Sequence, residues 1–277
     1  VRRCFVGLLA LTVVLTACAA PVALIPTPTS QPPPVTPQII QIVCPENLAP
    51  LLMALASAYQ REEAAVQIVV VERADELALH ALANGDADIA ALTWLPTTAL
   101  ENVWRVTFAR DGLALIVNPR NGLPGLTVEQ LRQLFRGRIE DWALWAGLPG
   151  PPQIISREEA SGDFDFFQDR VMGDARVSLT ALLAPTSLAV RDSVSQEPLA
   201  VGYLSTAWLD TQVRALAIEG VPPAPEMIAA GLYPLSRDLL LTTMGEPQGM
   251  ARDFMQWALG PQGQSVVALH GFVPVLQ

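Results

Sequence analysis

From residue 39 onward, short β-branched runs alternate with longer apolar stretches of helical spacing, and this alternation restricts the fold more than any other feature. Residues 39–43 read as a strand, and a helix over 48–60 follows that could start at Asn47, with Pro50 tolerated in its first turn. Residues 66–71, 87–92, 112–118, 154–156, 200–204 and 239–243 read as further strands. The spacing predicts helices over 75–83, from Thr127 onward (with Glu129 and Gln130 close behind), over 163–172 and over 248–259. Strand, helix, strand in succession places the chain in the α/β class, with parallel sheet covered by helices.

The first residues do not belong to that pattern. Arg2 and Arg3 precede an apolar run over 5–16, and Leu15-Thr16-Ala17-Cys18 follows. A basic start, an apolar stretch too short to span a bilayer comfortably, and small residues before a cysteine are similar to the bacterial lipoprotein signal. That likeness implies a signal peptide over 1–17 and lipidation at Cys18, so that the membrane is reached through acyl chains alone. Residues 18–38 contain the run IPTPTSQPPPVTP, which reads as an extended, semi-rigid spacer. The folded part is then 39–277, an extracytoplasmic domain of a length suited to one large unit or two small ones.

Charge narrows the partners. The formal net charge is −10, which disfavours nucleic acid and anionic lipid surfaces. All 17 basic residues are arginine, so neither a Schiff-base lysine nor a phosphate-loop lysine exists. Cys4 leaves with the signal and Cys18 is the lipid site, which leaves Cys44 alone and suited to a buried structural role.

Several phrases then occur in a fixed order. They are Phe108-Ala109-Arg110-Asp111-Gly112 running into Asn118-Pro119, Leu126-Thr127 through Phe135-Arg136-Gly137 to Asp141-Trp142, and Ser156-Arg157-Glu158-Glu159-Ala160-Ser161-Gly162. Val201-Gly202-Tyr203-Leu204, Tyr233-Pro234-Leu235-Ser236-Arg237, and finally Gly263-Gln264 with Gly271-Phe272-Val273-Pro274 complete the series. Together they resemble the phosphate-binding lipoproteins of bacterial phosphate ABC transporters, over nearly the whole folded part. The resemblance implies a type II periplasmic-binding-protein fold, two α/β lobes joined by two crossing strands that act as a hinge. The crossings are expected near 112–118 and 233–239, giving one lobe of 39–114 plus 235–277 and another of 115–234. It further implies a monomer that needs no cofactor and hands its ligand to an ABC permease.

The segment from Arg157 to Asp163 carries the chemistry. A Ser161-Gly162 pair opening a helix offers free N–H groups to an anion, and Arg157 adds a planar fork. The same residues also fit an ordinary capped helix with Arg157 paired to Glu158 or Glu159. The resemblance adds Asn47, Leu48, Arg73 and Thr93 as ligand-loop residues beside Arg157, Ser161, Gly162 and Asp163. These loops depart from the family's pattern: Glu46 stands where a serine is usual, Trp94 where an acidic or basic residue is usual, and Asp163 where a threonine is usual. Asp163 could accept a hydrogen bond from a protonated ligand oxygen, or simply cap its helix and face solvent.

Enzymatic readings find little support. His80 and His270 are the two histidines and no Gly-x-Ser-x-Gly elbow occurs. Asp86 and Asp88 lack the remainder of a calcium loop, so no metal site is expected. Two functions stay open: capture of phosphate or a related oxyanion for an importer, and a non-transport sensor or interaction module taking another ligand, such as an organic one stacked on Trp94.

Overall fold

The computed structural model describes residues 38–95, 102–159 and 161–275. Residues 1–37, which hold the expected signal, Cys18 and most of the spacer, lie outside them.

β1 (Gln38–Cys44) leads into α1 (Ala49–Glu62), whose first turn holds Pro50 and whose cap is Leu48 with no side-chain hydrogen bond. Asn47, expected to start this helix, is used elsewhere. β2 (Val66–Glu72) pairs parallel with β1, and α2 (Asp75–Asn84) then ends on Gly85, whose φ of 77° favours glycine. β3 (Ile89–Leu92) is buried on both faces and lies parallel to β1 on its other side.

β4 (Val103–Val117) is 15 residues long, far beyond the expected 112–118. Its first nine residues include Arg105, Thr107, Arg110 and Asp111, which break the apolar run by which a buried strand is recognised. After the short β5 (Gly125–Leu126), Thr127 and Gln130 form a reciprocal capping box on α3 (Val128–Phe135). β6 (Gln153–Arg157), α4 (Gly162–Phe167), β7 (Leu182–Ala184), α5 (Ser187–Gln196) and β8 (Ala200–Ser205) follow, with α4 continuing as a π-turn over Gln168–Met172. Two short strands, β9 (Arg214–Ala215) and β10 (Ala217–Ile218), precede α6 (Pro225–Ala229). β11 (Ser236–Met244) returns, and α7 (Gly249–Leu259), α8 (Pro261–Leu269) and β12 (Val273–Pro274) close the chain.

The main strand order is β2-β1-β3-β11-β4-β8-β6-β7. Pairing is parallel among β1, β2 and β3 and among β6, β7 and β8, as the alternation predicts. β4 and β11 are antiparallel to their neighbours because β11 comes back from the C-terminal part of the chain. One hydrophobic core holds Ile42, Leu48, Leu52, Phe108, Leu239, Leu241 and Phe254; another holds Leu113, Leu115, Phe135, Trp142, Phe167, Tyr203 and Leu235. β4 contributes Phe108 to the first core and Leu113 to the second, so a single strand fixes the two against each other. The fold is therefore two-lobed and α/β, with β4 and the entry to β11 as crossings.

Candidate functional site

The site begins with Tyr203 on β8. Its ring stacks on Phe167 of α4, with centroids 4.2 Å apart and planes 10° from parallel. Burial pushes the phenol well above its ordinary pKa, so it keeps its proton. The hydroxyl accepts the Arg157 backbone N–H at 3.2 Å and pairs with Ser156 Oγ at 2.9 Å, which pins the end of β6.

From that fixed strand end the Arg157 side chain, 3% exposed, turns into a string of alternating charges. Its Nη1 donates to Asp163 Oδ2 at 3.0 Å and to Ser187 Oγ at 3.1 Å. Its Nη2 donates to the Pro185 carbonyl at 3.1 Å and meets Glu46 Oε1 at 3.0 Å. Asp163 Oδ1 accepts from Arg237 Nη2 at 2.6 Å and from Asn47 Nδ2 at 3.0 Å. Arg237 then grips Asp111 Oδ2 through Nε at 3.0 Å and Nη2 at 2.7 Å. The other Asp111 oxygen takes hydroxyls from Ser205 and Thr206 at 2.9 and 3.0 Å. Burial alone would lower the Arg237 pKa, but Asp163 and Asp111 outweigh it and hold the guanidinium firmly protonated.

A third buried carboxylate, Asp75, lies behind this string. Asp75 opens α2 and accepts the Thr93 N–H at 2.6 Å, the Trp94 N–H at 3.2 Å and the Thr93 hydroxyl at 3.1 Å. Burial dominates these bonds and pushes its pKa up from 3.8 to about 6. Gly162 faces this pair across the junction between the cores, and a Cβ there would overlap Thr93 Oγ1 and Asp75 Oδ2. The absence of a side chain at Gly162 is what allows α4 to approach so closely.

A cavity of about 260 Å³ opens above these groups. Asn47, Arg73, Arg157, Ser161, Gly162 and Asp163 line it together with Glu46, Glu72, Glu158 and Glu159. Six of the eight residues singled out from sequence thus meet around one space. Leu48 does not: it is buried in the first core, and its N–H donates to the Pro45 carbonyl at 3.0 Å. Thr93 does not either, since its N–H and hydroxyl go to Asp75. Trp94 packs against the second core instead of presenting a free stacking face. In this cluster, Arg157 Nε, Arg237 Nη1 and Asn47 Oδ1 are buried without a hydrogen-bond partner among the described residues. Asn47 Nδ2 is fixed toward the Asp163 carboxylate, so its unpaired Oδ1 is an acceptor, while Nε is a donor.

Two simpler expectations are overturned. Asp163 does not face solvent, being 1% exposed between two guanidiniums, and the helix is capped by Ser161, whose Oγ accepts the Phe164 N–H at 3.2 Å. Arg157 pairs with Glu46 and Asp163, not with its sequence neighbours Glu158 and Glu159. Asp75, Asp111, Ser187 and Arg237 were not singled out as site residues. Asp111 and Arg237 left a trace, within the Phe108–Gly112 and Tyr233–Arg237 phrases.

Two lobes, crossing strands and a polar cavity between two cores are the architecture of the periplasmic-binding-protein fold. The chain belongs to the PBP superfamily, whose domain matches residues 29–262. It is 30% identical over 166 residues to the phosphate-binding protein PstS of Bacillus subtilis, covering 59% of this chain and 55% of that one. To the phosphate-binding protein PstS of Pseudomonas aeruginosa it is 27% identical over 263 residues, covering 83% and 81%. An ABC-type phosphate transport receptor from Vibrio cholerae superposes with a TM-score of 0.77 at 26% identity, over 85% of this chain and all of that one.

Proposed function

We propose that this protein is the extracytoplasmic capture component of an ABC importer and binds phosphate or a related oxyanion between its lobes, without chemical change. One observation carries the reading. A buried arginine with an unpartnered Nε lines the cavity between the two cores, beside Ser161 and Gly162. A buried donor left unmade costs about 1–3 kcal/mol, which a ligand oxygen would recover. The relatives named phosphate-binding proteins support the ligand class.

In this reading the lobes are 39–114 with 235–277, and 115–234, and they close on the ligand by hinge motion. Arg157, Ser161 and Gly162 donate to the oxyanion, Asn47 Oδ1 accepts from a protonated ligand oxygen, and Arg73 draws the ligand in from the rim. Lipid attachment at Cys18 would hold the domain at the cell membrane beside its permease, as a monomer. Calorimetric titration with phosphate, sulfate and molybdate tests the proposal: one equivalent binds, and Arg157→Gln abolishes it. Absence of binding by all three would favour the second reading, a sensor or interaction module for another ligand. The carboxylates that already satisfy Arg157 Nη1 and Nη2 support that alternative.

A further inference from the structure

Glu46 lies in the loop between β1 and α1, beside the first core, yet its side chain reaches groups that belong to the other lobe. Its Oε1 gathers three donors: Arg157 Nη2 at 3.0 Å, the Ser187 N–H at 3.0 Å and the Ser187 hydroxyl at 3.1 Å. The hydroxyl's role follows from its other neighbour. Arg157 Nη1 can only donate to Ser187 Oγ, so the Ser187 proton is directed to Glu46. Ser187 is the first residue of α5, a 10-residue helix, and its N–H is one of those with no partner inside the helix. Convergence of a guanidinium, a helix N–H and a hydroxyl on one oxygen is how a protein holds an oxyanion.

The two carboxylates on Arg157 differ in how readily they could leave. Asp163 is 1% exposed and committed through both oxygens to Arg157, Arg237 and Asn47. The Glu46 side chain is 25% exposed and lines the cavity. An exposed ion pair is readily exchanged, whereas a buried bridging one is not. Asp163 therefore belongs to the fixed frame and Glu46 to its exchangeable part.

We propose that Arg157 and Ser187 form an oxyanion subsite now held by the protein's own Glu46 carboxylate, and that the ligand enters by displacing it. This rests on the reading of the cleft as an oxyanion site. Because Glu46 comes from the opposite lobe, the same contact holds the lobes together before any ligand arrives. Capture is then an exchange of one cross-lobe anion for another, and apparent affinity is reduced by the fraction of molecules in which Glu46 is engaged.

The test uses the full chain with inorganic phosphate, comparing wild type with Glu46→Ala and Glu46→Gln by calorimetry, and by small-angle scattering without ligand. With Glu46 engaged about nine-tenths of the time, Glu46→Ala tightens phosphate binding about tenfold. The ligand-free variant is also more open than wild type, and phosphate restores the compact form. Glu46→Gln keeps the size of the side chain without its charge and shifts affinity in the same direction by less. If wild type binds phosphate and both variants bind it equally or more weakly, the displacement proposal is wrong while the phosphate reading stands. If no form binds phosphate, the oxyanion reading of the cleft fails and takes this proposal with it.

Discussion

Replacing Asp75 by asparagine should stabilise the protein at neutral pH, an unusual outcome for a fully buried polar residue with well-formed hydrogen bonds. The bonds themselves survive the change. The amide oxygen can still accept the Thr93 and Trp94 N–H groups, and the amide nitrogen can donate to Thr93 Oγ1 once that hydroxyl turns. What disappears is a buried negative charge with no arginine at ion-pair distance among the described residues. Burial raises the Asp75 pKa from 3.8 to about 6 in the folded protein. A group whose folded pKa is raised contributes fully below its unfolded pKa, and the contribution is lost as pH rises through the folded value. Asp75 thus costs the wild type about 1 kcal/mol at pH 4.5 and about 3 kcal/mol at pH 7.5, with little further change above. Asp165, also pushed up to about 6 by burial and then by Asp75, is relieved in the same direction. Urea unfolding at both pH values measures the effect: the gap between variant and wild type widens by about 2 kcal/mol from pH 4.5 to 7.5. An equal difference at the two pH values, or a variant less stable at pH 7.5, would refute the claim that charge burial outweighs the hydrogen bonds at Asp75.

The fold was readable because its strands and helices declare themselves within a few residues. Seven expected strands and five helices overlap observed ones, from the run before Cys44 to the helix over Gly249–Leu259. The reading failed where polar residues are buried for long-range reasons. The stretch of β4 up to Asp111 looks unlike a core strand because it is interrupted by polar residues, and Asp111 is there to meet Arg237, 126 positions away. Asn47 has the chemistry of a helix cap, but its amide is claimed by Asp163, 116 positions away, so a local rule gave the wrong use. The Arg157-Ser161-Gly162 cluster was legible since its parts lie within one turn and one loop. Its electrostatics were not, because Glu46 reaches Ser187 across 141 positions and no short pattern records such a pairing. Sequence therefore located the cavity but overstated its positive character.

Three further outcomes follow from the same geometry. Gly162→Ala places a methyl group against Asp75 and Thr93, and should destabilise by about 1–3 kcal/mol in urea unfolding; an unchanged midpoint would mean the lobes do not approach as closely as described. Cys44 is buried with its pKa pushed up to about 12, so at pH 8 it should react with a thiol reagent no faster than the protein unfolds, and rapid native labelling would contradict that burial. Asp163→Asn is the counterpart of Asp75→Asn, the same chemical change at a carboxylate buried as deeply, and it should act with the opposite sign. Asp163 sits between Arg157 and Arg237, so removing its charge leaves two guanidiniums facing each other across a neutral amide. Breaking a buried pair of this kind costs about 3–5 kcal/mol. At about 2–4 °C per kcal/mol for a chain of this size, the loss corresponds to a fall in Tm of about 6–20 °C. Measured side by side at pH 7.5, the order of stability should be Asp75→Asn, then wild type, then Asp163→Asn. If both variants move the same way, the charge string from Glu46 to Asp111 is not what decides whether a buried aspartate in this cleft is tolerated.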